Sequence, residues 1–129
     1  MKEIQQIVDE YYFARPVMRQ YDTPSRLVEL LKGEVGEVGV EFTYPDVDIE
    51  AVGKELADVV IYTMLMANMF SIDLETTVLH KLAENHIRFP EYLFDGSTQG
   101  TFQEIYARRK IELGEWESER ISAEQPSAS

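Results

Sequence analysis

Glu34 and Glu37 stand three residues apart in the stretch GEVGEVGVEF (Gly33 to Phe42), and Glu55 and Asp58 stand three apart in KELAD (Lys54 to Asp58). Residues three apart neighbour one another on a helix surface, so each pair would project two carboxylates from one face. Oxygen-only donors at this density suit a hard divalent cation, Mg²⁺ or Mn²⁺. A third set, Lys81, Asn85 and Arg88, lies in KLAENHIRFP (Lys81 to Pro90). These carry cationic and amide donors with the spacing of a single helix face, and they suit an anionic oxygen ligand.

The elements that must position these groups are helices. The patterning predicts helices over about Lys2 to Phe13, Pro24 or Ser25 to Phe42, Ile49 to Phe70 and Leu74 to Arg88. A shorter helix is expected from about Thr101 to Leu113. Thr23 followed by Pro24 reads as an N-cap with proline in the first turn, Asp73 as the N-cap of the fourth helix, and Pro90 as its stop. No stretch has convincing strand alternation, so the expected fold class is all-α.

Placing each residue about 100° around its helix axis puts the acids among hydrophobes. With Glu34 at zero, Leu27, Leu30, Leu31 and Val38 fall on the same arc as Glu37 and Glu41. With Glu55 at zero, Asp58 shares its arc with Val52, Val59, Tyr62, Met66 and Met69. Ordinary amphipathic design puts carboxylates on the opposite face. Charged carboxylates buried without compensation cost several kcal/mol each. One such pair is commonly a solvated face or a pair satisfied by a lysine, whereas two pairs on two core faces call for a metal ion. Gly33, Gly36 and Gly39 fall on the back of the second helix, where close approach of another element is the expected reason for them. On the fourth helix, Lys81, Asn85 and Arg88 share an inward arc with Leu74 and Val78. Spacing leaves two uses open for this arc, phosphate binding or pairing with acids in a structural network.

Bulk composition narrows the class. The chain has 129 residues, 44% hydrophobic and 28% charged, an ordinary composition for a single globular domain. Its 24 acids against 12 lysines and arginines, a net charge of −12, argue against a nucleic-acid binder. A bound metal would reverse that sign locally, so a small phosphate ligand stays open. There is no cysteine, which removes disulfides and thiolate metal sites. The polar start does not read as a signal peptide, and the longest apolar run is too short to span a bilayer. A cytoplasmic location without membrane attachment is expected, with one helical domain over 1–115 and a polar, frayed tail over 116–129.

The ordered set of Glu34, Glu37, Glu55 and Asp58, followed by Lys81, Asn85, Arg88 and Pro90, resembles the MazG-like family of all-α nucleoside triphosphate pyrophosphohydrolases. The resemblance covers roughly Leu27 to Pro90. It implies a four-helix bundle that assembles as a homodimer or homotetramer. It also implies Mg²⁺-dependent hydrolysis of an NTP or dNTP to the monophosphate and pyrophosphate. On this resemblance Glu34, Glu37, Glu55 and Asp58 would be metal ligands and catalytic residues, with one of them, or a carboxylate beside them, positioning the attacking water. Lys81 and Asn85 would contact the triphosphate or the metal shell, and Arg88 is a further candidate for substrate binding.

Two departures from the family pattern stand out. Gly33 occupies a place where many relatives carry a further acid. The single tryptophan, Trp116, is far from the N-terminal region that offers tryptophan to the base in several relatives. Tyr12, Phe13, Phe42 and Tyr44 are the remaining aromatic candidates for base stacking.

Phosphoribosyl-ATP pyrophosphohydrolase and a non-enzymatic nucleotide-binding or regulatory protein are the alternatives. A di-iron bundle would need Glu-x-x-His pairs, and neither His80 nor His86 has a glutamate three positions earlier. Both histidines fall away from the Lys81 arc and read as surface or interface residues.

Overall fold

The computed structural model describes residues 2–19 and 23–117. The described residues form six α-helices and no strand: α1 Lys2–Phe13, α2 Pro24–Glu41, α3 Ile49–Met69, α4 Leu74–Arg88, α5 Glu91–Phe94 and α6 Phe102–Glu112. A short 3₁₀ turn, Pro16–Met18, follows α1. Two elements were not expected from the sequence, this turn and the four-residue α5. Most of the predicted tail lies outside the described residues.

The helix ends follow from local chemistry. Thr23 accepts a hydrogen bond from the Arg26 amide and caps α2, with Pro24 in its first turn. Asp48 accepts from the amides of Glu50 and Ala51 and caps α3. Asp73 does the same for α4 through the Thr76 amide, 3.3 Å away. Helix α3 ends with Ser71 in the left-handed region (φ 55°), while the Ile72 and Ser71 amides return to the carbonyls of Ala67 and Asn68. That is a Schellman closure with serine where glycine is commoner.

The chain divides into two compact units, Met1–Thr77 and Val78–Ser129. In the first, α2 and α3 form the main packed pair, and α1 lies against α3. The core gathers Val8, Leu27, Met64 and Leu65, with Tyr12, Ile61, Tyr62, Met66 and Leu74 packed around it. Leu27 is fully buried. Burying a leucine contributes about 1.5–3 kcal/mol, so it anchors α2 at the end away from the acids.

Gln5 is the one buried polar residue among those described. It donates to the Ile72 carbonyl (2.8 Å) and to Asn68 Oδ1 (3.2 Å), and accepts from the Leu74 amide (2.9 Å). Asn68 Nδ2 returns a bond to the Gln5 carbonyl. This fully satisfied node ties α1 to the turn between α3 and α4.

In the second unit, α5 packs on α6 and a run of half-buried and exposed aromatic rings is in mutual contact. Phe89 and Phe102 each stack on Tyr106 at 5.4 Å between ring centroids, and Trp116 meets Tyr106 edge-on at 5.5 Å. Ile105 and Ala107 complete the buried side of α6.

Two expectations are corrected. The glycines of α2 do not serve close packing within this chain: a Cβ at Gly33, Gly36 or Gly39 would meet no described atom within 4 Å. The back of α2 faces open space, and its packing partner α3 lies on another side. The arc of α4 that carries Lys81, Asn85 and Arg88 is not a buried face either, since α4 contains no buried residue. Its apolar Val78, Leu79 and Leu82 are all exposed.

Candidate functional site

The first-unit site is built by α2 and α3. They are joined by a short connection, and their pairing brings Glu34 beside Glu55 while Leu27 meets Met64 and Leu65. Numbers fall along one helix as they rise along the other, so the pair is antiparallel and two acid-bearing turns face each other. Glu34, Glu37 and Glu55 each offer one carboxylate oxygen, and these three oxygens lie within 4.8 Å of one another. Glu34, Glu55 and Asp58 are half-buried, and Glu37 is exposed. Asp58 adjoins the group closely enough to act on both Glu34 and Glu55.

The electrostatics are those of crowded like charges. Burial pushes the Glu34 carboxyl above its ordinary range, and Glu37, Asp58 and Glu55 push it further. Glu55 is raised first by the hydrogen bond it shares with Glu37, then by burial and by Glu37, Asp58 and Glu41. Burial also raises the Tyr62 phenol, aided by Glu34, Asp58 and Glu37, so Tyr62 stays an O–H group beside the acids. The leading influences on Glu34 and Glu55 include no cation. Glu34 Oε2 and Glu55 Oε2 are buried and have no hydrogen-bond partner. Two orphaned carboxylate oxygens in one acidic group are the arrangement a bound cation would complete.

The other predicted residues belong to the second unit. Lys81 pairs loosely with Glu84 at 3.6 Å and is largely exposed. Arg88 is held tightly: Nη2 and Nε donate to the two oxygens of Glu115 at 2.5 and 3.2 Å, and Nη1 donates to Asn85 Oδ1 at 3.1 Å. Lys110 Nζ adds a second cation to Glu115 at 2.6 Å. Arg109 donates to the carbonyls of Arg88 and Ile87 and closes the C-terminal end of α4. The pairing of Arg88 with an acid was one of the two uses its arc left open.

Sequence reasoning missed Glu115, Lys110 and Arg109. Glu115 is 27 residues from its arginine, beyond any helical period. The available signal was Gly114, a helix-terminating glycine that fixes where the next residue goes. Of the aromatic candidates, Tyr12 packs against the core, while Phe13, Phe42 and Tyr44 are exposed. His80 and His86 are exposed, as expected.

With this geometry in view, the comparisons with known proteins point one way. The chain is similar to dCTP pyrophosphatase 1. It is 33% identical over 89 residues to the Mus musculus protein, covering 60% of this chain and 52% of that protein. The Bos taurus protein is 34% identical over 89 residues and the Rattus norvegicus protein 33% over 90, with 60% of this chain and 53% and 52% of those proteins covered. The chain therefore spans about half the length of the curated relatives it matches. No family model and no solved structure matches it.

Proposed function

We propose that the protein is a divalent-metal-dependent nucleoside triphosphate pyrophosphohydrolase, converting an NTP or dNTP and water to the nucleoside monophosphate and pyrophosphate. The observation that carries this reading is the cluster of Glu34, Glu37 and Glu55 with two buried, unpartnered oxygens and Asp58 beside it. The donor set fits Mg²⁺ or Mn²⁺, because every ligand atom is a carboxylate oxygen. The dCTP pyrophosphatase relatives support the reaction class and make dCTP the first substrate to test.

Glu34, Glu37, Glu55 and Asp58 would hold the metal, which when bound supplies charge neutralisation to phosphate oxygens and orients water. A carboxylate of the set, or one beside it, would accept a proton from the attacking water as the water oxygen bonds to the α phosphorus. The bond between the α and β phosphates breaks, and the electron pair leaves with pyrophosphate. Lys81 and Asn85 would donate hydrogen bonds to phosphate oxygens of the bound triphosphate. The excess of acids, unsuited to an anionic substrate by itself, becomes attractive once metal is loaded.

Purified protein incubated with a panel of NTPs, dNTPs and phosphoribosyl-ATP, with and without Mg²⁺ or Mn²⁺, tests the reading. Pyrophosphate release that requires the metal is expected, with dCTP among the substrates. Absence of release from every compound would overturn it. The exposed apolar side chains of α4 support assembly as a homodimer or homotetramer. A single monomeric species in sedimentation would contradict that.

A further inference from the structure

We infer that Glu115 is a positioning residue that acts through Arg88 to aim the Asn85 amide as a donor toward an anionic oxygen. The inference rests on the pyrophosphohydrolase reading for the identity of that anion, a phosphate of the substrate.

The placement begins with a glycine. Helix α6 ends in a Schellman closure: the Glu115 amide returns to the Lys110 carbonyl at 2.9 Å and the Gly114 amide to the Ile111 carbonyl at 2.9 Å. Gly114 takes the left-handed conformation this closure needs (φ 73°). Glu115 is thereby turned back from the helix axis, and its two oxygens meet the Arg88 fork in the bidentate arrangement that guanidinium and carboxylate favour. Lys110, in the last turn of α6, donates to the same Glu115 oxygen that Arg88 Nη2 meets. Trp116 packs on Tyr106 and holds the segment down.

With Nε and Nη2 occupied, Nη1 is left to Asn85. A guanidinium has only donors, so the atom of Asn85 that meets it must be the carbonyl oxygen. The NH₂ of Asn85 must then point away from Arg88, and no described residue accepts from it. Asn85 is thus presented as a hydrogen-bond donor one turn from Lys81 on the same helix face. An uncommitted asparagine would present donor or acceptor with equal ease, and an acceptor would repel phosphate. On this account the tight pairing of Arg88 with Glu115 does not spoil a binding residue. It commits Arg88 to setting the polarity of its neighbour.

The test uses the full chain with Mg²⁺ and dCTP, or whichever triphosphate of the panel is turned over, together with the side-chain amide resonances of Asn85 in the nucleotide-free protein. Glu115→Ala and Arg88→Lys should each raise KM about tenfold, the loss of about one oriented hydrogen bond to a charged group. Turnover at saturation should stay within about twofold, and the double variant should be no worse than either single one, since both act through one amide. Asn85→Asp keeps an acceptor for Arg88, preserving the fold, but replaces the donor with a charge, and should raise KM more than either. The Asn85 amide resonances should shift and collapse together in Glu115→Ala and Arg88→Lys.

An active wild type whose KM is unchanged in Glu115→Ala and Asn85→Asp would overturn the inference and leave the pyrophosphohydrolase reading standing. Unmoved Asn85 amide resonances in folded Glu115→Ala would also overturn it, whatever the activity. A wild type inactive on every triphosphate would overturn the functional reading and, with it, the assignment of phosphate as the anion.

Discussion

Two groups of carboxylates in this protein are built on opposite principles. Between α2 and α3, Glu34, Glu37 and Glu55 bring oxygens within 4.8 Å of one another; Glu34 is raised in pKa chiefly by burial and Glu55 chiefly by its hydrogen bond with Glu37, with neighbouring acids adding to both. At the end of α6, Glu115 faces Lys110 and Arg88 and is lowered in pKa by its bonds to those two cations. The second arrangement is what folding alone would select, since each charge finds a partner. The first opposes folding. A chain retains such an arrangement where something outside the chain completes it, and the difference separates acids that serve a ligand from acids that serve architecture.

The largest effect should come from removing one crowded acid. Glu37→Gln or Asp58→Asn should lower pyrophosphate release by more than about a hundredfold, because each removes a ligand to an ion worth several kcal/mol in the transition state. Circular dichroism should show unchanged helicity. The metal-free Glu37→Gln protein should melt at a higher temperature than wild type, because a source of repulsion is gone. Loss of activity with gain of stability is the signature that distinguishes this acid from a structural one.

Glu115→Ala should do the reverse to stability. It leaves Arg88 and Lys110 facing each other without their shared anion, so the melting temperature should fall by a few degrees, with activity falling only through KM. If Glu115→Ala and Glu37→Gln shift the melting temperature in the same direction, the contrast between the two groups is wrong.

The two groups also predict opposite pH dependences. Glu34 and Glu55 have folded pKa values above their ordinary 4.5, so the folded state holds extra protons there. Their contribution to stability is fully present below pH about 4.5 and is lost as pH rises through the folded values. Glu115 is lowered, so its contribution is present above pH about 4.5 and is lost as pH falls through its folded value. Metal-free protein should therefore gain stability on mild acidification from neutrality, then lose it in stronger acid. Metal affinity should fall over the same mild range, because protons and metal compete for the same oxygens. Chemical denaturation with and without Mn²⁺ at a series of pH values checks both signs.

The smallest effect concerns the turn that delivers Glu115. Gly114→Ala places a Cβ in a left-handed conformation, at a cost of about 1–2 kcal/mol. Ser71 already bears that strain at the matching closure of α3, so Ser71→Gly should be stabilising by a similar amount. Equal and opposite shifts of the denaturation midpoints would confirm that the two closures are equivalent.

Much of this was legible in the sequence because the signals are local. Thr23, Asp73 and Pro90 mark helix ends through hydrogen bonds or steric limits that act within four residues. The spacing of Glu34 with Glu37, and of Glu55 with Asp58, sets which face each acid shares. What periodicity left unread depends on which helix lies opposite. It grouped Gly33, Gly36 and Gly39 on one side of α2 but did not show that this side is open. It grouped Lys81, Asn85 and Arg88 but did not show that α4 buries no residue, since the apolar Val78, Leu79 and Leu82 beside them stay exposed among the described residues. The pairing of Arg88 with Glu115 spans two helices and a turn. Helix α5 was unreadable because four residues carry no period.

The central claim is that the crowded acids exist to hold a metal ion, and binding of Mn²⁺ in the absence of nucleotide tests it most directly. Titration followed by electron paramagnetic resonance at neutral pH counts the ions that leave solution. Wild type should remove Mn²⁺ from the free pool in whole-number proportion to protein, Glu115→Ala should do so equally well, and Glu37→Gln should bind far more weakly. Wild-type protein that leaves Mn²⁺ free, or Glu37→Gln that binds as wild type does, would contradict the account.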